Sequence, residues 1–232
     1  MGNWNLPQGF PSSGRRTGET PVLRPDEGKA DAQERNRRMK IVRYPHPALR
    51  HPARPLISID KKVHLQAGRM LELVQEEQGV GLAAPQIALP YQLLVLNFPP
   101  ESPGTEFGQV FINPVLLERK GGMAEGEEGC LSFPGLYGKV RRARTVKVRA
   151  YNLKGELLEI PASEFPARVW QHEIDHLNGV LYIDKMSALS KRSSREAVED
   201  FERQYRRAQE RGDIPPDPEL EKQLVALEAE GW

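Results

Sequence analysis

His172-Glu173-Ile174-Asp175-His176 is the segment of this 232-residue chain whose residue types and spacing point most directly to chemistry. On a helix, positions four apart share one face a turn apart, so the two imidazoles can chelate a single metal ion. Glu173 flanks that pair, where a carboxylate can take a proton from metal-bound water, and this placement makes it a general base. Two histidines do not hold a catalytic zinc or iron, so a third ligand must come from elsewhere in the chain.

Three sources of that ligand can be weighed. A metzincin places a histidine three residues after Gly179, but Tyr182 stands there. A gluzincin endopeptidase takes a downstream Glu in a Glu-x-x-x-Asp pattern, and Glu196-Ala197-Val198-Glu199-Asp200 provides one beyond His176. Residues 187–211 are so densely charged that such a pattern arises cheaply, and a solvated helix face explains it better. The third source is Cys130, in Glu128-Gly129-Cys130-Leu131-Ser132-Phe133-Pro134, where Gly121, Gly122, Gly126 and Gly129 allow close backbone approach. Cys130 is the one cysteine of the chain, so no internal disulfide competes for it, although a small buried core residue is an equally ordinary role.

The elements that must position these groups follow from periodicity. Ile59, Val63, Ala67, Met70, Leu71 and Val74 recur at helical spacing, which predicts a helix from about 60 to 77, capped by Ser58 or Asp60 and stopped by Gly79. Residues 92–98 and 109–117 are rich in β-branched and aliphatic side chains and read as strands. Val146, Val148 and Ala150 alternate with polar residues, Asn152 to Gly155 supplies turn chemistry, and 157–160 returns as the second arm of a hairpin. A second helix is predicted over 163–178, with Gly179 as its stop, and it carries the two histidines. Val198, Phe201, Tyr205 and Ala208 mark an amphipathic helix over 187–211, and Asp217-Pro218-Glu219 opens a weaker one through Leu220, Leu224 and Leu227. Strands grouped without regular βαβ alternation indicate an α+β fold, expected as antiparallel sheets around a central helix bearing the His-Glu-x-x-His motif, plus a C-terminal amphipathic helix.

Composition bounds the rest. The chain has 33 Lys plus Arg against 32 Asp plus Glu, a net charge of +1, so no global field draws it to nucleic acid or an anionic membrane. No apolar run approaches the roughly 20 residues of a membrane span and no secretory h-region is present, which predicts a cytoplasmic protein. Residues 1–38 hold nine Gly or Pro and twelve charges and read as a disordered arm. A catalytic domain over 39–212 and a polar tail with a short helix over 213–232 complete the expected organisation.

Three segments, Gly79-Val80-Gly81-Leu82-Ala83-Ala84-Pro85-Gln86, the Cys130 segment, and Gln171-His172-Glu173-Ile174-Asp175-His176-Leu177-Asn178-Gly179, resemble the three signature motifs of peptide deformylases, in the same order. The resemblance covers about residues 39–190. It implies a hydrolase that removes the N-formyl group from the N-terminal formylmethionine of new polypeptides. It implies further that Cys130, His172 and His176 bind one divalent metal with water in the fourth position, and that Glu173 is the acid/base. The metal is expected to be Fe2+, with Zn2+, Ni2+ or Co2+ as alternatives, because ligand type constrains the ion without selecting it. By the same resemblance Gln86 and the backbone N–H of Leu131 stabilise the oxyanion. Backbone groups of Val80, Gly81 and Gly129 hold the peptide as an added strand, while Val80, Phe165 and Val169 wall the methionine pocket. Gly126 and Tyr137 depart from the family pattern, where an apolar residue and an Arg often stand. The nascent-chain substrate also makes the cations of 187–211 (Lys191, Arg192, Arg195, Arg203, Arg206, Arg207 and Arg211) a candidate ribosome-docking face. Two other classes compete: the gluzincin with Glu196 as third ligand, and a non-catalytic module in which the metal only closes a structural site.

Overall fold

Strand order in space follows strand order in sequence. β1 (Gly81–Ala83), β2 (Leu93–Leu96), β3 (Gln109–Cys130), β4 (Phe133–Tyr151) and β5 (Leu157–Ser163) form one antiparallel meander. This computed structural model describes residues 39–98 and 108–230, so the arm expected over 1–38 lies outside the described residues. Against the sheet lie α1 (Lys61–Glu76), α2 (Glu164–Leu177), the single turn α3 (Tyr182–Lys185), α4 (Ala188–Glu210) and α5 (Asp217–Ala229). The fold is α+β with an antiparallel sheet, but one continuous sheet replaces the several expected.

The sheet is covered on both faces where it matters for the site. All four residues of β2 are buried, and they alternate between two cores. Leu94 and Leu96 join Phe111, Trp170 and Ile174 on the α2 side, whereas Leu93 and Val95 join Val63, Met70 and Val74 on the α1 side. A strand buried on both faces reads as a continuous apolar run, which is why its sequence shows no alternation.

α1 begins as predicted, with the Asp60 carboxylate accepting the N–H groups of Lys62 and Val63 at 2.9 and 3.0 Å. Its end is a correction. The helix stops at Glu76 and Gln78 adopts the left-handed conformation, φ 53°, that terminates it. Gly79 serves packing instead, because a Cβ there would stand 2.9 Å from Leu131 Cδ1 and 3.0 Å from Val74 Cγ2.

The strand predicted to end at 117 runs on to Cys130 and turns into an equally long β4. Residues 118–129 are charged and glycine-rich, so propensity hides a ribbon that pairing creates. Glu125 faces Arg141 and Glu127 faces Lys139 across the ladder. Gly121 and Gly122, both at positive φ, absorb a register shift between Lys120 and Met123.

α4 is less solvated than its charge suggests. Phe201 meets Phe133 edge-to-face at 5.6 Å between ring centres, and Tyr205 is buried with its hydroxyl donating to Asp217 at 2.8 Å. α5 buries Leu220 and Leu224, and its Glu228 pairs with His51 at 2.8 Å and Arg54 at 2.9 Å. No helix among the described residues is long and apolar enough to cross a membrane.

Candidate metal centre

Cys130 is the last residue of β3 and pairs with Phe133 across the two-residue turn Leu131-Ser132. A tight turn at this point fixes the direction of the thiol. Opposite it, α2 buries Ala167, Val169, Trp170 and Ile174 in the sheet, and that rotation turns His172 and His176 towards Cys130. Cys130 Sγ and one nitrogen of each histidine all lie within 4.8 Å of one another, with Sγ 3.3 Å from His176 Nε2. A cation bound tetrahedrally by S and N spaces its ligand atoms by about 3.6 Å, so the donor set suits one divalent ion of zinc or iron size.

The charge states fit as well. Burial, reinforced by repulsion from His172, holds His176 well below the usual imidazole range, and it is therefore the neutral base that ligation needs. For His172 burial acts downward, but hydrogen bonds with Cys130 and Glu128 prevail and push it up to about 10. The sulfur and carboxylate that favour a proton there equally favour a metal cation in its place. Glu128 Oε2 lies 3.0 Å from His172 Nδ1, which leaves Nε2 for the cation. Burial opposes the Glu128 charge, yet Arg142 and His172 hold this carboxyl well below the usual carboxylate range.

Glu173 is almost fully buried, and burial pushes its carboxyl up to about 7. Its Oε2 has no hydrogen-bond partner among the described residues. The carboxylate lies directly over Gly81, where a Cβ would stand 2.5 Å from Oε1, so a glycine is required at that point of β1. Gln86 is oriented from behind: its Oε1 accepts the Ala83 N–H at 2.8 Å, which turns Nε2 to within 3.4 Å of Cys130 Sγ.

A cleft of about 440 Å³ opens over this group and is lined by Gln86, Cys130, Leu131, His172 and Glu173. Val80, Gly81, Gly129, Phe165 and Val169 line the same cleft, so of the site residues that the resemblance nominated all but the deeper His176 border it. Glu196 does not: it is exposed on α4, outside the donor cluster. Sequence reasoning missed Glu128, Arg142 and Arg168, although Arg142 follows Val140 on the inward parity of β4, and a charge on an inward position signals a buried pair.

The model of the polypeptide deformylase family matches residues 38–192. The chain belongs to this family. The deformylase match spans all three motif segments and both elements that carry the donors. A peptide deformylase of Rhodopirellula baltica is 38% identical over 191 residues, covering 82% of this chain and 94% of its own length. One from Acidobacterium capsulatum is 44% identical over 152 residues, 65% of this chain and 88% of the relative. Among solved structures, Arabidopsis thaliana peptide deformylase 1B in complex with an inhibitor aligns at a TM-score of 0.69 and 38% identity, over 76% of this chain and 96% of that one.

Proposed function

We propose that this deformylase hydrolyses the N-formyl group of peptides that begin with formylmethionine, using one divalent metal held by Cys130, His172 and His176. The observation that carries the reading is a buried carboxyl oxygen, Glu173 Oε2, without a partner among the described residues, beside a three-donor cluster at the base of a cleft. A divalent cation in that cluster would supply a water nucleophile at neutral pH; Fe2+ is taken as the native ion from the family resemblance, because the donor set itself also accepts Zn2+, Ni2+ or Co2+.

The chain's own groups then perform the rest. Glu173, with a carboxyl near neutrality, takes the proton of the attacking water and passes it to the departing amine. Gln86 Nε2 and the N–H of Leu131 donate to the oxygen that becomes negative. Val80, Gly81 and Gly129 present backbone to the peptide, and Phe165, Val169 and Val80 enclose its first side chain. Substituting Glu173→Ala tests the assignment: metal content stays stoichiometric while formate release falls by roughly 10²–10⁴. A variant that turns over at the wild-type rate sinks it.

Residues 39–212 form the catalytic domain in this reading, and the protein works where formylated chains are made, in the cytoplasm. The α4 face is its ribosome contact. Arg43 and Arg207 border a second concavity of about 380 Å³ with Arg211, and their side chains have no acidic partner among the described residues. Because Phe201 and Tyr205 pack on the body, removing α4 would expose Phe133; charge reversal is the cleaner probe. Arg43→Glu with Arg207→Glu keeps tripeptide turnover and weakens salt-sensitive co-sedimentation with ribosomes. Unchanged co-sedimentation refutes the contact.

A further inference from the structure

Arg168 lies one turn before His172 on α2, so its guanidinium and that imidazole share a helix face. The side chain is 14% exposed and spans three positions on two strands. Nη1 donates to Glu128 Oε1 at 2.7 Å and to the Val140 carbonyl at 2.9 Å, and Nη2 donates to the Ala124 carbonyl at 3.0 Å. It can lie there only because residue 126 is glycine. A Cβ at Gly126 would stand 2.7 Å from Nη2 and 2.8 Å from Cζ.

Charge neutralisation does not explain Arg168. Arg142 already meets both oxygens of Glu128, Nε to Oε1 and Nη2 to Oε2, each at 2.9 Å. Arg142, on β4, reaches the helix through Asp175, beyond His172, whereas Arg168 is itself part of that helix and grips the carboxylate from one turn before His172. Glu128 Oε2 in turn holds His172 Nδ1 at 3.0 Å. We propose that Arg168 is a positioning residue of the metal centre, acting through Glu128 to fix the His172 ring, and that Gly126 is required because it admits the guanidinium. The inference rests on Cys130, His172 and His176 being the metal ligands. A lysine would bring a point charge without the planar fork that reaches Ala124, Glu128 and Val140 together.

The test is the rate at which zinc-loaded protein releases Zn2+ to a chromogenic chelator. A clamp that only braced the helix would lower thermal stability and leave that rate unchanged. Positioning through Glu128 predicts release 10- to 100-fold faster in Arg168→Leu, the range for lost support of a metal-bound histidine, with partial rescue by Arg168→Lys. Gly126→Ala accelerates release too, because its methyl displaces the guanidinium. The double variant is no faster than Arg168→Leu alone, since both changes remove one interaction. Arg144→Leu, which breaks the exposed pair between Arg144 of β4 and Glu164 at the start of the same helix, leaves release at the wild-type rate. Release within twofold of wild type in Arg168→Leu, or additive effects in the double variant, overturns the inference. Should Arg168→Leu fail to fold, unchanged release in both Gly126→Ala and Arg168→Lys overturns it instead. Formate turnover of iron-loaded wild-type protein keeps the two readings apart. Faster zinc release in the variants, beside iron-loaded wild type that releases no formate, supports the role of Arg168 and sinks the proposed function.

Discussion

Two buried groups at the centre, Glu173 and His176, are held in the states that suit chemistry rather than stability. Below pH 4.5 the Glu173 carboxyl is neutral in folded and unfolded chains alike, and above about 7 it is ionised in both. Its burial therefore subtracts stability progressively across that window and fully above it. In metal-free protein Glu173→Gln should be more stable than wild type at pH 8.5, by at most about 3 kcal/mol from the size of the shift, and nearly equal at pH 4. Urea denaturation at the two pH values measures the difference, and a constant gap would contradict the burial account. The third ligand is open to an equally direct comparison. Cys130→Ser should lose metal on dialysis and lose activity, while Glu196→Ala on the exposed face of α4 should change neither, as surface substitutions rarely exceed 0.5 kcal/mol. Metal loss from the Glu196 variant would return the gluzincin reading.

At the level of elements, the parts of the site were unequally legible. Helix α2 was plain because its stop, Gly179, and the four-residue spacing of its two histidines are local signals. The ribbon that carries Cys130 was not, because residues 118–129 form a strand only through their partners on β4, and pairing is not written in local propensity. Gly81 shows the same limit at one position. Its sequence context suggested close approach of substrate backbone, and the structure adds that Glu173 occupies the space of its missing side chain. Gly81→Ala should push the carboxylate aside and lower kcat at least tenfold, with metal content unchanged. Wild-type kcat in that variant would show that Glu173 tolerates displacement and weaken its assignment as acid/base.

Across the whole molecule, the sheet is the frame on which α1, α2 and the C-terminal helices converge. Periodicity placed α4 and α5, but whether their stripes met solvent or protein depended on long-range packing: Phe201 onto Phe133, and Leu224 into the interior. Leu224, at 2% exposure, makes α5 part of the body, and Leu224→Ala should cost about 2–4 kcal/mol of unfolding free energy while tripeptide turnover by the folded protein stays unchanged. A cost below 0.5 kcal/mol would show that α5 does not contribute to the core. The central claim, that a Cys-His-His centre with Glu173 hydrolyses a terminal formamide, is tested most directly by formate release. The iron-loaded protein should liberate formate from formyl-Met-Ala-Ser in stoichiometric yield and leave an internal peptide bond control intact. Cleavage of the internal bond without formate would contradict it.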